Sequence, residues 1–83
     1  MLVRYFGVAK AATGVGEERL PGGRTLGAVL DELRTRRPSP GAPSLATVLD
    51  RSSFLLNEIA LRDTSTVLAD GDVLDVLPPF AGG

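Results

Sequence analysis

Short apolar runs separated by turn residues, with one helical stripe between them, set the pattern of this chain. Leu2-Val3-Arg4-Tyr5-Phe6 is rich in β-branched and aromatic residues and predicts a first strand. Gly14 and Gly16 mark a turn. Glu17-Glu18-Arg19-Leu20 predicts a weaker second strand, which Pro21-Gly22-Gly23 ends. The two runs are close enough to form a hairpin. Thr25 then stands where a helix N-cap belongs, its hydroxyl able to accept from a free backbone N–H. Leu26, Val29, Leu30 and Leu33 follow at helical spacing and make one apolar stripe, with Asp31 and Glu32 on the polar side. Arg34, Arg36 and Arg37 fall in or just after the last turn, where positive charge complements the helix dipole. That placement favours a capped, solvated helix end over an anion site. Pro38 stops the helix, and residues 39–43 form a loop.

The second half repeats the alternation. Ser44 stands as the cap of a short second helix carrying Leu45, Val48 and Leu49. Phe54-Leu55-Leu56 predicts a third strand, Asn57-Glu58 a turn, and Ile59-Ala60-Leu61 the return. Asn tolerates the left-handed conformation, whereas Glu58 is a poor second residue for a tight primed turn. Asp70-Gly71-Asp72 is a strong turn signal, and Val73-Leu74-Asp75-Val76-Leu77 predicts a last strand that Pro78-Pro79 ends. The order implies an α+β fold, with one main helix across one face of a mixed sheet. The first and last strands suit its centre, and if they are parallel the elements between them supply the crossover. Along the last strand, Leu74 and Val76 share one face and Val73, Asp75 and Leu77 the other. Asp75 is the only charge in the run, so its face is expected to be the open one. An apolar patch there, rimmed by Asp63, Asp70, Asp72 and Asp75, makes Val73, Asp75 and Leu77 candidate partner-docking residues.

Length and composition narrow the function. The chain's 83 residues make one domain, with residues 1–77 as its body and residues 78–83 as a flexible C-terminal tail. A net charge of −1 argues against nucleic acid as the main partner. No apolar run approaches the roughly 18 residues of a membrane span. The start resembles no signal peptide, so the cytoplasm is the expected location. There is no Cys and no His, which removes thiolate nucleophiles and the commonest general base and metal ligand. No metal site is expected, and an autonomous enzyme is disfavoured; a partner or a substrate is the better reading. The remaining chemistry lies in Pro78-Pro79-Phe80-Ala81-Gly82-Gly83. Gly82 and Gly83 lack Cβ atoms and can pass a channel too narrow for side chains. Fully extended, this arm reaches roughly 20 Å at about 3.3–3.6 Å per residue. The reactive group would be the main-chain carboxylate of Gly83. The dipeptide alone fits a frayed end somewhat better.

Residues 69–83, from the Gly-Asp turn through the apolar strand and double proline to the diglycine, resemble the end of the molybdopterin synthase small subunit, a MoaD-type sulfur carrier of the MoaD/ThiS family. Val3-Arg4-Tyr5-Phe6-Gly7 with Ala11, Ala12 and Gly14 resembles the family's first strand and the short turn after it. Thr25-Leu26 resembles its helix start, and Phe54-Leu55-Leu56-Asn57 its third strand. Glu58 stands where the family often has Gly, and Val67 where a Pro often precedes the Leu. The resemblance implies a ubiquitin-like β-grasp fold. It also implies that a ubiquitin-activating-like adenylyltransferase consumes ATP to form a glycyl-adenylate at Gly83. A sulfurtransferase would then help convert it to a thiocarboxylate, a 1-thioglycine. The tail (Pro78, Pro79, Phe80, Ala81, Gly82) would enter the molybdopterin synthase large subunit, in a heterotetramer of two small and two large subunits. There the sulfur would become part of the molybdopterin dithiolene, formed from cyclic pyranopterin monophosphate. Catalytic side chains are expected in the large subunit, and no bound cofactor in the carrier. The double proline would direct the arm away from the sheet with little entropy to lose. Phe80 would anchor in a partner pocket or pack back on its own sheet. Carriers for thiamine or cysteine synthesis share the diglycine, although the double proline and the length favour the molybdopterin branch. A ubiquitin-like protein modifier joined to lysines through Gly83 shares the activation step. A non-covalent binding module fits the extended motif least.

Overall fold

Two apolar strands from opposite ends of the chain meet at the centre of the sheet. The computed structural model describes residues 1–38 and 40–79. In chain order its elements are β1 (Leu2–Tyr5), α1 (Gly7–Thr13), β2 (Glu17–Arg19), β3 (Arg24–Thr25), α2 (Leu26–Arg34), α3 (Leu45–Arg51), β4 (Ser53–Leu56), β5 (Ile59–Ala60), β6 (Val67–Leu68) and β7 (Val73–Leu77). The main sheet has the order β2-β1-β7-β4-β5. β1 and β7 are parallel, with Val3 opposite Leu74 and Arg4 opposite Asp75. The other pairings in this sheet are antiparallel, so it is mixed, as the sequence predicts. β3 and β6 form a separate two-stranded ladder that the sequence reading did not foresee.

Alternation decides which residues reach the core. Val3, Tyr5, Leu74 and Val76 point to one face of the central pair and are buried. The α2 stripe lies over them, and Leu26, Val29, Leu30 and Leu33 are all buried. α3 adds Leu45, Val48 and Leu49 to the same cluster. Each large side chain buried this way contributes roughly 1.5–3 kcal/mol before entropy is counted. Thr25 caps α2 as predicted, its Oγ1 accepting from the Ala28 N–H at 3.1 Å. Ser44 occupies the N-cap position of α3, but its side chain makes no capping bond.

α1 replaces the short turn expected after β1. Ala9 and Ala12, three residues apart, are buried against the core. Gly14 ends the helix at φ 78°, its N–H donating to the Lys10 carbonyl. β1 and β2 therefore pair through a helical connection and not a tight hairpin. At the other end of the sheet, Asn57 and Glu58 have φ 50° and 71°. Both residues of this tight turn are left-handed, the state disfavoured for Glu58. Asn57 anchors the turn to the start of β7. Its Nδ2 donates to Asp72 Oδ1, and its Oδ1 accepts from the Val73 N–H, each at 3.0 Å.

Candidate functional site

β7 carries the chain from the middle of the sheet to the base of the tail. The sheet face opposite α2 presents Leu2 and Arg4 from β1, Val73, Asp75 and Leu77 from β7, and Leu55 from β4, by strand register. Leu2, Leu55, Val73 and Leu77 are each partly exposed. Phe6, just beyond β1, is 43% exposed, which for a phenylalanine is unusual enough to mark a surface able to receive a partner. Of the three docking residues proposed from sequence, Val73 and Leu77 are thus half-buried on the open face.

Asp75 departs from expectation. It lies on the open face, yet it is only 5% exposed. The Arg4 guanidinium covers it, with Nε 2.6 Å from Oδ1 and Nη2 2.9 Å from Oδ2. This two-pronged bond, with the attraction of the two charges, holds the Arg4 guanidinium above its ordinary pKa. The Arg4 guanidinium carbon also lies 6.0 Å from the centre of the Phe6 ring. The charge on this face is a neutralised pair set among apolar residues, not an acidic rim. The other predicted rim acids are taken up in turns, within one or between two. Asp63 accepts from Ser65, Asp70 from the Gly22 N–H, and Asp72 from the Ala69 N–H and Asn57. These bonds lower the Asp63 pKa, chiefly through the Ser65 hydroxyl, and the Asp72 pKa, chiefly through the Ala69 N–H. Sequence signals for the Arg4–Asp75 pair were present: each is the single charge in an apolar run, and parallel pairing sets them side by side.

Ion pairs hold two of the three arginines clustered after α2, Arg34 and Arg36. Arg36 grips both carboxylate oxygens of Glu18, while Arg34 bonds Asp31 and Asp50. Glu18 also accepts from the part-buried Tyr5 hydroxyl at 2.8 Å. Tyr5 is pushed well above its ordinary value, first by burial and then by that bond. The same partners, Arg36 foremost, hold Glu18 below the usual carboxylate range. This network ties the α2–α3 connection to β1 and β2, a structural role in line with the capped-end reading.

At the base of the tail, Pro78 and Pro79 leave the sheet on the side of the helices. They form part of an apolar groove of ≈ 300 Å³ together with Val8, Pro43, Val48 and Arg51. Sequence reasoning missed this groove because its walls come from four separate segments. Phe80, Ala81, Gly82 and Gly83 lie outside the described residues. Among the described residues no cluster of His, Cys, Asp and Glu suits a metal ion, and no helix is long and apolar enough to cross a membrane.

A family model described as the ThiS family matches residues 3–83. The chain belongs to the ThiS family. This agrees with the family resemblance carried by the C-terminal motif, and the match runs through Glu58 and Val67. A search of curated proteins finds no match. Among solved structures, the ThiS-family chain is similar to one in a complex of subunits 1 and 2 of the molybdopterin-converting factor from Helicobacter pylori 26695. The TM-score is 0.72 at 27% identity, covering 99% of this chain and 96% of that one. It is also similar to the HVO 2177 protein of Haloferax volcanii, with TM-score 0.71 and 29% identity over 99% of this chain and 84% of that one. SAMP1 from Haloferax volcanii shares the fold, with TM-score 0.66 and 24% identity over 100% and 98%. The ThiS-family domain thus has the ubiquitin-like β-grasp fold, and its class is that of small MoaD/ThiS-type sulfur carriers.

Proposed function

We propose that this ThiS-family protein is the sulfur-donating small subunit of a molybdopterin synthase. The observation that carries the reading is its near full-length likeness to a chain in the complex of molybdopterin-converting factor subunits 1 and 2. The large subunit is the corresponding partner, in an assembly of two small and two large subunits. The apolar open face around Leu2, Leu55, Val73 and Leu77 docks the partner, with the Arg4–Asp75 pair lying flat between them. Residues 78–83 form the arm.

A carboxylate is a poor electrophile because oxide is a poor leaving group. The adenylyltransferase therefore supplies ATP. An oxygen of the Gly83 carboxylate bonds to the α-phosphorus, pyrophosphate leaves, and an acyl-adenylate forms. A sulfide-level sulfur, delivered by a sulfurtransferase, then bonds to the acyl carbon. AMP leaves with the former carboxylate oxygen, and Gly83 ends as a thiocarboxylate. Inside the large subunit this sulfur passes to the pterin precursor and becomes one dithiolene sulfur. The carrier supplies no proton acceptor to these steps, which suits a chain without His or Cys. The chemistry consumes ATP, and the cytoplasm supplies it.

The test is intact-mass spectrometry after incubation with the adenylyltransferase, ATP and a sulfur source. The expected gain is about 16 Da, one oxygen exchanged for one sulfur. An unchanged mass, or lysine-linked conjugates in its place, would sink the proposal. A residue appended after Gly83 should abolish the gain while leaving the circular dichroism spectrum unchanged. The loaded carrier should then yield molybdopterin with a large subunit and the pterin precursor. Sulfur delivery only to a thiazole or cysteine pathway would redirect the assignment.

A further inference from the structure

Strand register places Glu17, Arg4, Asp75, Leu55 and Ala60 in one row across the open face, from β2 to β5. Leu2 and Val73 lie to one side of that row along the strands, and Leu77 to the other. The two members of the ion pair at its centre are covered unequally. The Asp75 side chain is 7% exposed and the Arg4 side chain 37%. Arg4 commits Nε and Nη2 to Asp75, and its Nη1 makes no hydrogen bond to the described residues. Every buried side-chain nitrogen or oxygen among those residues has a partner, so Nη1 opens to solvent. A pocket of ≈ 280 Å³ lies beside Arg4, lined also by Asn57, Glu58 and Val73.

We infer that, when a partner covers the open face, Arg4 Nη1 donates to an uncharged oxygen of that partner, a main-chain carbonyl, and that this bond helps select the partner. A cover made of apolar side chains alone would strip water from the Nη1 protons and leave them unpaired. An unmade hydrogen bond to a buried charged group costs more than a made one returns. The cover therefore carries an acceptor. That acceptor is not a carboxylate. Asp75 already neutralises Arg4, Glu17 stands opposite Arg4 on β2, and Glu58 lines the neighbouring pocket. A further carboxylate buried there would meet three acids and one cation, and its charge would go uncompensated. A carbonyl accepts the bond and adds no net charge.

The donor is also aimed in advance. Two bonds to Asp75 fix the plane of the guanidinium, and its carbon lies 6.0 Å from the centre of the Phe6 ring. Nη1 thus loses little freedom when the carbonyl arrives. The partner's matching surface is apolar around Leu2, Leu55, Val73 and Leu77, free of acids at its centre, and presents one backbone oxygen there. This inference rests on the reading of the open face as the surface that docks the large subunit.

The experiment is titration calorimetry of the full chain against the large subunit of its molybdopterin synthase. Raising the ionic strength from about 0.05 M to about 0.5 M should weaken docking of the parent by less than about threefold, because a neutral pair meets a neutral oxygen. A larger loss would point to a partner carboxylate and overturn the inference. Arg4→Leu combined with Asp75→Leu removes both charges together, so no acid is stranded. Circular dichroism melts check that its fold persists. This double variant should bind roughly 5- to 150-fold more weakly, since the partner's carbonyl is left buried and unpaired. Equal or tighter binding, the result expected of a purely apolar contact, would overturn the inference while leaving the large-subunit reading intact. In the parent complex, the Arg4 Nη1 protons of protein with nitrogen-labelled arginine should exchange with water more slowly than in the free chain. Unchanged exchange would overturn the inference even where the double variant fails to fold. A parent that does not bind the large subunit at all would refute the functional proposal, and this inference with it.

Discussion

Replacing Tyr5 with Phe tests whether a buried phenol governs the alkaline stability of the fold. Tyr5 is the only tyrosine, and there is no tryptophan. Its side chain is 2% exposed, and its hydroxyl donates to Glu18 at 2.8 Å. Burial first, and Glu18 second, raise its pKa far above the ordinary 10.0. The unfolded chain ionises near that ordinary value, while the folded phenol stays neutral. The stability from this difference is therefore complete below about pH 10 and is lost as pH rises. Were the folded phenol never to ionise, the loss would be about 1.4 kcal/mol near pH 11. The hydroxyl end meets Glu18 close to solvent, so screening reduces this to about 1 kcal/mol. For a domain of this size that is a fall of roughly 4–8 °C in Tm. Tyr5→Phe should lower neutral-pH stability by about 1 kcal/mol, the net worth of one hydrogen bond to a charged acceptor that keeps its other partner. It should then remain flat where the parent declines. Thermal melts by circular dichroism at several alkaline pH values supply the comparison. Tyrosinate absorbance of the parent gives a direct second readout, because one residue produces all of it. A tyrosinate band that grows near pH 10 while the fold stays intact would refute the reasoning. An identical alkaline decline in Tyr5→Phe would do the same.

Glu18 gives the mirror-image result in acid. Its pKa lies below the ordinary 4.5, chiefly through Arg36, so its contribution is present above about pH 4.5 and disappears as pH falls through the lowered value. Glu18→Gln should flatten that acid limb and remove under about 1 kcal/mol at neutral pH, since the pair is partly open to solvent; denaturant titrations across acidic pH measure both. At the Asn57-Glu58 turn, Glu58→Gly should raise stability by about 0.5 kcal/mol, the relief of a left-handed residue less the entropy of an added glycine. Equal or lower stability in urea would show that the φ of 71° is not strained.

Much of the fold can be read along the chain because its causes are local. Leu26, Val29, Leu30 and Leu33 recur at helical spacing whatever lies opposite them, and Thr25 finds its acceptor role three residues away. The alternation in β7 assigns Leu74 and Val76 to the core without knowledge of the helix that covers them. α1 escaped because its buried face consists of two alanines. Their small side chains give a weak periodic signal, and the glycines on either side read as a turn. The candidate site divides the same way. Val73 and Leu77 follow from period two, whereas the groove at Pro78 and Pro79 exists only once α1, α3 and the end of β7 have come together.

The chemistry proposed for Gly83 is main-chain chemistry, so the linear order of residues suffices to express it: two glycines without side chains, a double proline ahead of them, and no histidine or cysteine to compete. The surroundings of Asp75 are of another kind. A lone acid in an apolar strand reads as a solvent-facing charge until Arg4, 71 positions away, is laid beside it by the parallel pairing of β1 and β7. Desolvation of a charge depends on what surrounds it in space. Identity and spacing along the chain specify which groups can ionise, pair or transfer; folding alone sets the dielectric and the partner that each of them meets.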